Sequence, residues 1–70
     1  MMWWELWDLR SGNRLEDFAS EESALTFVRT ALREHSRATV MHWSLSAEPN
    51  VGAPIEGEAL ITLATRAATA

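Results

Sequence analysis

The run Trp3-Trp4-Glu5-Leu6-Trp7-Asp8-Leu9 sets the strongest constraint on how this chain can fold. Its aromatic content suits a strand, and neighbouring side chains on a strand point to opposite faces. Trp4, Leu6 and Asp8 then share one face, and Trp3, Glu5, Trp7 and Leu9 share the other. Large apolar groups therefore lie on both sides. An antiparallel sheet with one solvated face should alternate apolar with polar residues, so this strand is expected to be covered twice. One helix can cover one side. The other needs the C-terminal segment, a second copy of the chain, or a partner.

The rest of the chain supplies the elements for such a sheet. Arg10-Ser11-Gly12-Asn13 is a turn signal, because Gly and Asn tolerate positive φ, and Arg14–Phe18 returns as a second strand to complete a hairpin. The role of Asp8 is open, a hydrogen bond to that turn being one reading. Ser20 then stands as a helix N-cap, followed by Glu21 and Glu22, which complement the positive helix end. The spacing of Ala24, Leu25, Val28, Ala31 and Leu32 predicts an amphipathic helix from about Glu21 to Glu34, with Phe27 beside the stripe. His35-Ser36-Arg37 should end it. Thr39–Ala47 alternates as a third strand, with Met41, Trp43 and Leu45 on one side and Val40, His42 and Ser44 on the other. A turn-rich loop, Glu48–Pro54, follows. The tail fits a strand or a helix. Its Ala content and leading acids favour a helix from about Glu58 to Ala67, after a short edge strand or extended segment near Ala53–Ile55. The expected fold is one α+β domain over residues 1–70, in the order ββαβ(β)α. An antiparallel sheet of hairpin plus one or two further strands packs on one amphipathic helix, and a short C-terminal helix closes it.

Size and charge narrow the function. A chain of 70 residues buries a thin core, and without cysteine it has no disulfide or thiolate–metal staple. Dense packing or self-association must supply the difference. The net charge of −4 opposes non-specific binding to nucleic acid, whose affinity comes from neutralised phosphates. No apolar run reaches the length of a membrane span. Met1–Glu5 has no basic n-region, so no secretory signal is expected, and the cytoplasm is the expected location.

The motifs of catalysis are not present. His35 and His42 fall on different predicted elements, with no metal-ligand spacing. His35 reads as a cation at a helix end, and His42 as a half-exposed strand residue. Ser11-Gly12-Asn13 lacks the surroundings of a nucleophile elbow, and Gly52 and Gly57 form no phosphate loop. The adjacent acids Glu16/Asp17 and Glu21/Glu22 point apart rather than into a cleft. No enzyme activity, catalytic residue, cofactor, metal or small-molecule substrate is expected.

The tryptophans carry the remaining functional signal. Trp4, or whichever tryptophan faces the main helix, is expected in the core. Trp3 and Trp7 fit either intramolecular burial or an intermolecular surface, where Trp is enriched. The expected interface is Trp3, Trp7, Leu9 and Trp43. Arg29, Arg33 and Arg37, four residues apart on one predicted helix face, are expected as polar partner contacts or as a solvated face. Such a stripe could also contact phosphates, or meet the Glu16/Asp17/Glu21/Glu22 acids of a second copy in a symmetric dimer.

The stretch Trp4-Glu5-Leu6-Trp7-Asp8, with Ser11-Gly12-Asn13, Leu15, Phe18, Ser20-Glu21-Glu22, Ala24-Leu25 and Val28-Arg29, resembles small stand-alone bacterial proteins of unknown function. Gly57–Leu60 is similar to the short helix that closes such chains. The resemblance covers the first half well and implies no activity or catalytic residue. The hairpin followed by a capped helix also resembles the arm-type domains of phage-like integrases and, more distantly, small antitoxins. Arm-type domains bind DNA with a basic sheet, whereas these strands carry Glu5, Asp8, Glu16 and Asp17. Two functions follow as expectations. One is a non-enzymatic interaction module, homodimeric or an accessory subunit of another protein, acting through its first strand. The other is a nucleic-acid-associated regulator acting through Arg29, Arg33 and Arg37.

Overall fold

Strand pairing begins at the N-terminal hairpin. A computed structural model describes residues 1–49 and 51–69, except the side chains of 51 and 67–69. Asn50 of the expected loop and the side chain of Ala67, last in the expected helix stripe, lie outside the described residues. Strand β1 (Trp3–Asp8) pairs antiparallel with β2 (Asn13–Phe18), and the turn between them is tied at Asp8. The Asp8 carboxylate accepts from Arg10 N–H at 2.9 Å, and the Asp8 carbonyl accepts from Gly12 N–H at 2.7 Å. The short Asp8 side chain thus satisfies the amide of Arg10, one residue ahead of the Ser11-Gly12-Asn13 stretch that the sequence offers as its partner.

Helix α1 spans Glu21–Glu34, the bounds that its spacing predicts. Ser20 has extended backbone (φ −143°, ψ 158°), and its Oγ accepts from Ser23 N–H at 3.2 Å, satisfying one orphan donor. Ala24, Leu25, Val28 and Ala31 form its buried stripe. His35 is the C-cap and donates its backbone N–H to the Ala31 carbonyl.

The next element differs from expectation. Thr39 and Val40 do not begin a strand. They belong to a one-turn helix, α2 (Arg37–Val40), capped by Ser36, whose Oγ accepts from Thr39 N–H. The cap diverts the chain and places Val40 in the core. Strand β3 therefore starts at Trp43 and runs to Glu48. His42 lies in the turn ahead of it, exposed, with its carbonyl accepting from Leu9 N–H at 2.8 Å.

Strand β4 (Val51–Glu56) passes directly into helix α3 (Gly57–Thr69). Gly57 makes that junction with φ +57°, and a Cβ there would sit 3.3 Å from the Met41 carbonyl oxygen. The tail is thus a helix, preceded by a strand longer than expected.

The sheet order is β2-β1-β3-β4, all neighbours antiparallel. The α1–α2 connection carries the chain over β1 to reach β3. Helices α1 and α3 pack against each other, and both lie on one face of the sheet. Leu6, Val28, Val40, Leu45 and Leu60 are fully buried between the two layers. Burying such side chains stabilises by about 1.5–3 kcal/mol each. A row of rings, Phe18–Phe27–Trp43, with centroids 5.4 and 6.2 Å apart, extends this core. The molecule is a two-layer slab, 31 × 31 × 17 Å. Among the described residues no helix is long and apolar enough to cross a membrane.

Candidate interaction face

The second helix does not cover the second side of β1. Because α3 joins α1 on the Leu6 side, the opposite face of the sheet carries no helix among the described residues. Strand register fixes what that face displays. Trp3, Glu5 and Trp7 alternate along β1. Trp3 lies beside Glu48 of β3. Glu5 lies between Asp17 of β2 and Ser46 of β3. Trp7 lies between Arg14 of β2 and Ser44 of β3, and Ser44 is paired in turn with Glu56 of β4. Paired residues in an antiparallel sheet project from the same side, so these nine residues share the outer face.

Glu5 organises it. Its Oε2 accepts from the Trp3 indole N–H at 2.9 Å, and its Oε1 accepts from the Trp7 indole N–H at 3.1 Å. The Arg14 guanidinium stands 3.9 Å from Glu5 and 3.2 Å from Asp17. The Trp3 hydrogen bond holds the Glu5 carboxyl below its ordinary range. Desolvation opposes this, while Trp7 and Arg14 add to it. Glu5 is thus a carboxylate with an indole on each side. With both N–H groups turned inward to it, the two indoles have only their rings left to offer. Trp3 keeps 37% of its surface exposed, and Trp7 is half-buried. Ser44 is only 5% exposed and donates to Glu56 Oε2 at 3.1 Å, closing the row at the β4 edge.

Four residues of the expected interface separate here. Trp3 and Trp7 sit together on the open face. Trp43 does not join them: it projects from the helix side, keeps 7% of its surface, and is core. The alternation that puts Leu45 inward does the same to Trp43. Leu9 is exposed but has left the strand, as the first residue of the turn. Trp4 packs against the helix-side core, as expected. The sequence places Glu5 on the face of Trp3 and Trp7 without naming it in the interface, and Glu48 and Glu56 were missed as members of this surface. The pattern Trp3-x-Glu5-x-Trp7 was the available signal, since alternate strand positions share a face.

The arginine stripe is also redistributed. Arg29 and Arg33 lie on α1, but Arg37 belongs to α2 and forms an ion pair with Glu58 of α3. The helix break at His35–Ser36 removes Arg37 from the α1 face. The Arg29 guanidinium donates to the Ala64 carbonyl at 3.3 Å and to Thr26 Oγ1 at 3.0 Å, bridging α1 to α3. With Arg33, Thr30 and Thr65 it lines an open groove of about 410 Å³ between the helices. Two of the three guanidinia are thus engaged within the fold. Among the described residues no three His, Asp or Glu side chains gather as a metal site would require.

The sheet edges are guarded. The β2 edge carries Arg14, Glu16 and Asp17, and β4 contains Pro54, which has no N–H to donate. Charges and proline on edge strands discourage strand addition. Contact with another polypeptide is therefore better served by the open face than by an edge. No family model, curated protein or solved structure matches this chain.

Proposed function

We propose that this protein is a small, non-enzymatic interaction module that docks another polypeptide on the helix-free face of its sheet. One observation carries the reading: Trp3 and Trp7 are fixed by a shared carboxylate on a face that no helix among the described residues covers. Aromatic side chains held rigid lose little entropy on binding, and Trp is enriched among residues that dominate interface energies. Contact there would also add burial to a chain whose own core is thin.

The test joins solution mass to a paired capture. Light scattering over a concentration series reads self-association, and an immobilised chain reads partners. Both are repeated with Trp3→Ser/Trp7→Ser after circular dichroism shows that the variant is folded. The expected result is association, with a second copy or another protein, that the double variant loses. A monomer whose captured proteins are the same for both chains contradicts the proposal.

A further inference from the structure

The open face is charged as well as aromatic, and its charge selects among occupants. Register places four carboxylates on it, those of Glu5, Asp17, Glu48 and Glu56. One guanidinium, that of Arg14, is placed with them, and it already faces both Glu5 and Asp17. A second copy docked through the same face would set this acidic surface against itself. Like charges across an interface suppress that pairing. Cations are favoured for the same reason, and they also suit the rings. An arginine or lysine over the face of Trp is attracted by the ring quadrupole, and both indoles here have their N–H groups turned to Glu5.

Resting on the reading of this face as the docking surface, we propose that its occupant is a basic, extended segment of a different protein. Its arginine or lysine side chains stack on Trp3 and Trp7 while the surrounding carboxylates meet their charge. The spacing fits an extended chain. Trp3 and Trp7 are four residues apart on one strand, about 13 Å at the strand rise of about 3.3 Å per residue. Side chains four apart on an extended partner repeat at the same interval.

The probes are three synthetic peptides that alternate threonine with arginine, glutamine or glutamate, titrated into the full chain by calorimetry. The arginine peptide is expected to bind, and the other two are not. Salt should weaken that binding, since exposed charges are screened over about 8 Å at physiological ionic strength. Glu48→Gln/Glu56→Gln is expected to weaken it about threefold to tenfold, from two charge contacts, and Trp3→Ser/Trp7→Ser to abolish it. Equal binding of the glutamine peptide, or self-association lost on Trp3→Ser/Trp7→Ser, overturns the basic partner while leaving the docking face intact. An arginine peptide that does not bind overturns it too. So does one that binds both double variants as it binds the natural chain, and that result counts against the docking face as well.

Discussion

The indole N–H of Trp3 and the carboxylate of Glu5, two residues apart on one strand, meet at 2.9 Å on the open face of the sheet. Trp7 meets the other oxygen of the same carboxylate at 3.1 Å. The bond from Trp3 is the largest influence lowering the Glu5 pKa. A carboxyl whose pKa is lower folded than unfolded contributes stability above its unfolded value, and that contribution is lost as pH falls through the folded value. Glu5→Gln should therefore be less stable than the natural chain at neutral pH. The gap should close as pH drops below about 4, the ordinary glutamate range. Urea unfolding across that pH range measures it. A gap independent of pH would mean that the ionised form of Glu5 is not what the indoles stabilise.

The four tryptophans divide by face, and truncation should divide them the same way. Trp43→Ala removes a buried ring from the Phe18–Phe27–Trp43 row and is expected to cost about 3–5 kcal/mol. Trp3→Ala, at an exposed position, should cost under about 1 kcal/mol. Equilibrium unfolding separates these values. Equal costs would place Trp3 in the core.

Ser20 caps α1 by accepting the Ser23 N–H at its Oγ. Ser20→Ala should lower stability by about 1 kcal/mol, while Ser20→Asp, which can accept the same bond, should keep it. Equal loss in both variants would remove the capping role.

Gly57 joins β4 to α3 at positive φ, with the Met41 carbonyl close to where a Cβ would stand. Gly57→Ala is expected to destabilise by about 1–3 kcal/mol through backbone strain. Melting temperature or urea midpoint reports it. A neutral effect would show that the junction can relax into an ordinary conformation.

What the sequence disclosed follows from how local each signal is. Helix α1 was legible to its ends, because Ser20, the two glutamates and the apolar stripe all lie within the segment they specify. The hairpin was legible for the same reason, whereas the sequence left the role of Asp8 open. Helix α2 was not. Ser36 reads equally well as the end of one helix or the cap of the next, and the alternation from Thr39 onward imitated a strand. That ambiguity also hid the fate of Arg37, which follows Ser36 into α2 and pairs with Glu58. The two-sided strand β1 was plain in the sequence, but the side that stays open depends on α3 packing beside α1. That is a tertiary contact between two helices with a short helix and two strands between them in the chain, and periodicity is blind to it. Likewise, Trp3-x-Glu5-x-Trp7 shows a shared face, while the inward turn of both indole N–H groups depends on side-chain rotamers.

The most direct test of the docking face uses the indole N–H groups themselves as four reporters in a two-dimensional NMR spectrum. Trp3 and Trp7 report the open face, and Trp4 and Trp43 the helix side. The spectrum is followed during titration with the arginine–threonine peptide, and separately as the chain is concentrated. The expected result is that Trp3 and Trp7 shift in at least one of the two titrations, while Trp4 and Trp43 stay in place. Shifts confined to Trp4 and Trp43, or no indole shift at all under either condition, would contradict the face as the site of association.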